Sequence, residues 1–323
     1  MTDRLALPDP LLFVGGTPRS GTTLLRNMLA AHPWIAIPNE SFFIHRVHDD
    51  LRRSNQLHDV GLAWHIIKRD PFFRAWRLDP HDVEGVLSRV AVSTYTDLIR
   101  ALFVAFAESQ GKTFAGDKTP THALRFTWLA REFPTSCFVH IVRDPRGVCM
   151  SLTCMPWQLR GLVGAALTYK GYVQAALGAE PRLGRRLIRV HYEDVIADAE
   201  AELGRICALV GVDYDPKMLS YGDPGDPLPA RHHRRSRGPL VSNARPWREQ
   251  TTKTDIAVVE LITGRTMKRV GYQLTAPRWS VRAWSALAGD RLRRAPSFWI
   301  EKTNHRLYRL SHPGRDNNPS LRR

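Results

Sequence analysis

A short apolar run that ends in glycine and passes into Thr17-Pro18-Arg19-Ser20-Gly21-Thr22-Thr23 leaves a chain few ways to fold. Residues 11–15 (LLFVG) read as a buried parallel strand, and Leu24, Leu25, Met28 and Leu29 then recur at helical spacing. A strand that turns over glycines into a helix points successive backbone amides and the positive helix end at one spot, which is a cradle for an anion. The spacing Gly16-x-x-x-x-Gly21 is that of a nucleotide phosphate-binding loop, yet Thr22 stands where such loops carry the lysine that reaches the β- and γ-phosphates. The nearest cation is Arg19, two residues before the second glycine. The loop therefore suits a phosphate without suiting hydrolysis of a nucleoside triphosphate.

The rest of the chain repeats the strand–helix alternation. The first helix stops at His32, because Pro33 disfavours helix at the residue before it. Residues 34–38 (WIAIP) form a second short strand, 41–110 are mostly helical with breaks near Pro71 and Pro80, and 113–120 are a strand running into a loop. A helix reaches about Phe133. Residues 137–145 (CFVHIVRDP) are the clearest strand, with the continuous apolar run of a strand covered on both faces. Another strand spans 187–194, a helix spans 198–211 closed by Gly211, and a last helix runs over about 254–270. This is the pattern of an α/β fold, a parallel sheet flanked by helices, in which ligands gather at the carboxyl ends of the strands.

The formal charge of +16 points to an anionic partner or to a basic solvated surface. Cys137, Cys149, Cys154 and Cys207 have no C-x-x-C spacing and read as buried thiols, which fits a reducing, cytoplasmic setting. The N-terminal apolar run is too short for a secretory signal, and no stretch approaches the roughly 20 apolar residues of a membrane span.

A second motif, VHIVRDPRGVCMSL, places Arg143 at a strand end and Ser151 eight residues on, in the next helix. An arginine and a hydroxyl so placed suit a second phosphate. Asp144 before Pro145 reads as a helix N-cap with proline at the first helical position, ahead of a rival reading as a magnesium ligand.

PRSGTTLL, RDPRGVCMSL and HYEDVIADAEAELGRICALVGVDYDPKML together resemble the sulfotransferases that use 3′-phosphoadenosine 5′-phosphosulfate (PAPS), nearest the branch with the protein-tyrosine sulfotransferases, over about residues 11–272. The resemblance implies a three-layer sulfotransferase-like fold and a catalytic domain over 1–274; the composition changes beyond it, where 275–323 are a basic, tryptophan-containing extension. It implies that Arg19, Ser20, Gly21, Thr22 and Thr23 wrap the 5′-phosphosulfate, that Arg143 and Ser151 hold the 3′-phosphate, and that Tyr192 lies against the adenine. VSNARPWRE resembles the late nucleotide-binding segment, which nominates Ser242, Arg245, Trp247 and Arg248; Pro246 between arginine and tryptophan departs from the usual form. No metal is implied for transfer.

Sulfuryl transfer needs a base for the acceptor hydroxyl and donors for the charge that builds on the leaving phosphate. Glu40, after a matching His-Pro and strand, resembles the branch's catalytic glutamate; its other reading is a cap or first-turn acid of a helix beginning near Ser41. Lys118 resembles the lysine that assists the leaving group, jointly with Arg19. His122 stays open as a rival base, while His32 and His191 read as structural.

The acceptor is a hydroxyl on a carbohydrate, a glycolipid, a tyrosine or a small metabolite. The basic loop 230–238 is either a solvated face or an attractor for PAPS or an acidic acceptor. The extension holds eleven Lys and Arg against three acids, a charge of +8, and its stretch 281–295 suits either an anionic membrane surface or packing on the domain or a second subunit. Two other classes remain. One is a degenerate phosphate-loop kinase or NTPase using Mg-ATP. The other is a nucleic-acid-binding protein, ranked last because the basic residues concentrate in one loop and the tail.

Overall fold

The strand–helix alternation folds into five parallel strands, as a computed structural model of the chain describes for residues 11–155, 161–221 and 247–275 and Ser285 (side chains of Arg248 and Gln250 excepted). In chain order the elements are β1 (Leu12–Gly16), α1 (Thr22–Ala30), β2 (Ile35–Ala36), α2 (Phe43–Arg53), α3 (Val60–Ile67), α4 (Pro71–Arg74), α5 (Pro80–Arg89), α6 (Tyr95–Ser109), β3 (Phe114–Lys118), α7 (Phe126–Glu132), β4 (Cys137–Val142), α8 (Pro145–Thr153), α9 (Gly161–Leu183), β5 (Leu187–His191), α10 (Tyr192–Ala197), α11 (Ala199–Val210), α12 (Trp247–Gln250) and α13 (Lys253–Arg269). The sheet order is β2-β3-β1-β4-β5. Its direction of winding reverses around β1, so the loop that follows β1 opens at the switch point where α/β sheets bind ligands.

The chain divides into two compact units, Met1–Arg143 with Gly171–Ala244, and Asp144–Lys170 with Arg245–Arg323. All five strands belong to the first. Alternation along β1 and β4 sends Phe13 and Phe138 to one face and Leu12, Val14, Val139 and Ile141 to the other. The first face packs on α2 to α7, with Phe13 against Phe103, Phe133 and Phe138. The second packs on α1 and α11 through Leu25, Met28, Leu203 and Ile206. Helices on both faces explain the continuous apolar reading of the strands. In the second unit, Ala257 and Val258 of α13 pack with Leu162 and Val163 of α9.

The helical breaks read near Pro71 and Pro80 are present, between α3 and α4 and between α4 and α5, and each proline opens the helix after the break, behind the capping carboxylates of Asp70 and Asp79. Several boundaries differ from the sequence reading. The strand read over 187–194 ends at His191, and Tyr192 begins α10. The longest helix among the described residues, α9, has no counterpart in the reading: glycines at 161, 164, 171 and 178 and Pro181 dilute its pattern. Cys154 is exposed, not buried, because it ends α8; the other three cysteines are buried and all four are free. Among the described residues no helix is long and apolar enough to cross a membrane. The basic loop 230–238, Ser242 and Arg245, and the extension apart from Thr275 and Ser285, lie outside the described residues.

Candidate active site

The turn from β1 to α1 is built by two left-handed residues on either side of Ser20: Arg19 at φ 74° and Gly21 at φ 93°. A β-carbon on Gly21 would lie 2.4 Å from Cδ2 of Tyr192, so only glycine lets the tyrosine ring close over the loop. The Ser20 amide donates to the Thr17 carbonyl at 3.1 Å, tightening the turn. Gly21 brings no side-chain cap to α1, whose first turn holds no acid. The first amides of a helix have no partner within it, so those of α1 are left facing the loop with its positive end. The hydroxyls of Thr17 and Ser20 are fully buried and have no hydrogen-bond partner among the described residues. Most buried polar atoms in proteins are paired, and these two unpaired ones both belong to the turn. Two orphaned hydroxyls, an uncapped helix end and a glycine-dependent cradle fit a phosphate-type anion.

At the end of β4, Arg143 closes the other side. Its guanidinium lies 4.3 Å from the centre of the Tyr192 ring, and its Nη1 donates to the Arg19 carbonyl at 3.2 Å. The first unit thus brings together four of the residues read from motifs far apart in the chain: Arg19, Gly21, Arg143 and Tyr192.

The next strand end supplies a second cluster. Lys118 is the last residue of β3, in register with Val14 of β1, where the strand read over 113–120 passes into its loop. Its side chain is 4% exposed, and its Nζ lies 2.5 Å from Oε1 of Glu40, which is 30% exposed. A buried ammonium persists when it is paired. Glu40 is not a helix cap, since α2 begins at Phe43 with no acid in its first turn. Burial and the Glu40 charge push the Tyr172 hydroxyl up to about 12, so it stays protonated beside the carboxylate. His122 is fully buried; its Nε2 lies 2.5 Å from Oδ2 of Asp117 and its Nδ1 2.8 Å from Nε2 of His45. His32 is structural, accepting from the Trp34 amide and bonding the Asp213 carbonyl.

The second unit holds Ser151 on α8 and Trp247 and Arg248 on α12. Asp144 caps α8 by accepting from the Arg146 amide, with Pro145 next, as read. Both its oxygens are also bonded by the Arg146 guanidinium, at 2.8 and 2.6 Å. Arg146 is buried, reaches Glu260 of α13 at 2.8 Å, and lies 4.1 Å from the centre of the Trp247 ring. Glu260 accepts from the Thr275 amide and hydroxyl. The sequence reading missed Thr17, Asp117 and Arg146. A charged residue inside an apolar strand, as Asp117 is, was the available signal. Among the described residues no cluster of His, Cys, Asp and Glu is arranged to hold a metal.

A model described as the sulfotransferase family matches residues 10–216. Protein-tyrosine sulfotransferase A of Caenorhabditis elegans is 25% identical over 219 residues, covering 66% of this chain and 53% of that protein. Nodulation protein NoeE of Sinorhizobium fredii is 24% identical over 304 residues, 82% of this chain and 67% of that one. The chain spans about half the length of the first protein-tyrosine sulfotransferases it matches, 53% and 56%. Among solved structures, the sulfotransferase domain from the Synechococcus PCC 7002 olefin synthase superposes with a TM-score of 0.58 at 24% identity, over 85% of this chain and 99% of that one. The sulfotransferase domain from the curacin biosynthetic pathway gives a TM-score of 0.57 at 20% identity, over 84% and 100%. These two likenesses establish the α/β three-layer fold.

Proposed function

This chain belongs to the sulfotransferase family, and on that premise we propose that it moves a sulfuryl group from PAPS to an acceptor hydroxyl. The observation that carries the reading is the cradle itself, in which the orphaned hydroxyls of Thr17 and Ser20 sit under the uncapped start of α1 while Arg143 stacks on Tyr192 beside Gly21.

In this reading the amides of Arg19 to Thr23 and the Ser20 hydroxyl hold the 5′-phosphosulfate. Tyr192 lies against the adenine and Arg143 binds the 3′-phosphate. The roles of Ser151, Ser242, Arg245, Trp247 and Arg248 toward the nucleotide rest on the motifs alone. Bound there, PAPS supplies a sulfuryl group joined to a phosphate that leaves. Glu40, partly exposed, takes the proton of the acceptor hydroxyl. Arg19 and Lys118 offset the negative charge that builds as the group moves, and the scheme calls on no metal. Glu40 is preferred to His122 as the base because His122 is fully buried with both ring nitrogens engaged. The names of the relatives make a tyrosyl hydroxyl the first acceptor to try, ahead of carbohydrate, glycolipid and small metabolite hydroxyls.

Calorimetric titration tests the reading. Adenosine 3′,5′-bisphosphate, the spent donor, is expected to bind tightly without metal, and ATP with magnesium weakly. Preference for Mg-ATP would make Arg19 a substitute for the missing lysine and replace the proposal with a kinase or NTPase.

A further inference from the structure

Glu40 and Ser41 are chain neighbours after β2, and Asp117 and Lys118 are chain neighbours at the end of β3. The fold ties the two pairs together twice. Lys118 Nζ donates to Glu40 Oε1 at 2.5 Å, and beside it the Ser41 hydroxyl donates to Asp117 Oδ2. The Ser41 amide donates to the Thr119 hydroxyl at 2.8 Å, and that hydroxyl donates to Asp117 Oδ1 at 3.2 Å. His122 Nε2 meets Asp117 Oδ2 at 2.5 Å and is backed by His45. Ser41, Asp117, Thr119 and His122 are all fully buried.

A carboxylate with no access to water is retained only where donors satisfy it, and Asp117 has three. It does not face what Lys118 faces, because successive strand side chains point to opposite sides. Its charge has no part in the proton transfer assigned to Glu40. What it does hold is the segment that carries Glu40.

Resting on the sulfotransferase reading, we propose that Asp117 is a positioning residue: through Ser41 it fixes the Glu40 carboxylate against the Lys118 ammonium, so that base and cation meet the acceptor hydroxyl in one geometry. Without the Ser41–Asp117 bond the partly exposed Glu40 turns toward water and leaves Lys118 buried without its partner.

The test compares Ser41→Ala, Ser41→Thr and Asp117→Asn with the unaltered protein. Release of adenosine 3′,5′-bisphosphate from PAPS is followed with tyramine as a phenolic acceptor and with water alone. Rates are counted per site titrated calorimetrically with the bisphosphate. Ser41→Ala is expected to lose kcat on the order of 10- to 100-fold with KM for PAPS changed less than about threefold, the signature of a lost transition-state interaction. Ser41→Thr, which keeps the hydroxyl, is expected to recover most of that loss. Asp117→Asn is expected to fall at least as far as Ser41→Ala; if it lacks a cooperative melt, the serine pair decides. Per-site kcat of Ser41→Ala within about twofold of the unaltered protein, or Ser41→Thr no better than Ser41→Ala, overturns the inference. If the unaltered protein neither binds the bisphosphate nor releases it from PAPS, the sulfotransferase reading fails and the inference falls with it. If it does both and the variants match it, only the inference fails.

Discussion

The guanidinium of Arg143 lies 4.3 Å from the centre of the Tyr192 ring while its Nη1 donates to the Arg19 carbonyl, so the side chain just past β4 braces both the loop and the aromatic that covers it. If Arg143 meets the 3′-phosphate, Arg143→Ala should weaken adenosine 3′,5′-bisphosphate by about 10- to 100-fold, the range of a hydrogen bond to a charged group. Adenosine 5′-phosphate, which lacks that phosphate, should lose far less. Calorimetry on both ligands decides, and an equal loss for the two contradicts the assignment.

Gly21→Ala places a methyl group 2.4 Å from Tyr192 at a backbone angle of φ 93°. The left-handed strain alone costs about 1–3 kcal/mol, and the ring must also move. Chemical denaturation should show that loss of stability, and bisphosphate binding should fall by more than tenfold. A variant that binds as tightly as the unaltered protein would show that the cradle is not the anion site.

Glu40→Gln and Lys118→Met each break the ion pair, and each should lower kcat by about 10²–10⁴-fold, the range for a positioned acid or base. Because the two groups act together, the double variant should fall little further than the worse single one. Losses that multiply would mean the two act separately.

Burial, with the fields of Arg189 and His191 adding to it, pushes His140 down to about 3. Its unfolded value is about 6.5, so between those limits the unfolded chain binds the extra proton. Stability is therefore full above about 6.5 and falls as the pH drops toward 3; from pH 8 to pH 5 the cost is about 2 kcal/mol. Urea titrations at the two pH values should show this drop reduced by about that amount in His140→Leu. The same drop in both proteins would exonerate His140.

Arg146→Ala removes the guanidinium that pairs the Asp144 and Glu260 carboxylates within the second unit. Removing one partner of a buried ion network costs about 3–5 kcal/mol. Arg146→Lys should recover only part of this, since an ammonium cannot reproduce the two bonds to Asp144 or the contact with Trp247. Guanidinium denaturation of the three proteins measures it, and a loss below about 1 kcal/mol would mean the network is dispensable.

Legibility followed the range of the interactions. The loop at Gly16–Thr23, the cap at Asp144 with Pro145, and Gly211 closing α11 were readable because each is decided by neighbours a few residues away. Helix α9 escaped because four glycines and a proline hide its face, and it is held by packing instead of by its own pattern. Lys118 falls in the run 113–120 that the sequence shows only as a strand passing into a loop; the pairing of β3 with β1 keeps it in the strand, where its side chain is buried.

By itself the sequence determined the strand–glycine turn–helix near its start and the parallel α/β class, because these follow from glycine spacing and apolar periodicity, while the family was legible only in the resemblance of its motifs. Only the tertiary structure decided the partners. Glu40 meets Lys118 across 78 positions, and Arg146 meets Glu260 across 114. The first meeting depends on the sheet order that sets β2 beside β3, the second on the packing of α13 against α8. Contacts of that range are fixed by how whole elements pack, and no short window of residues contains them.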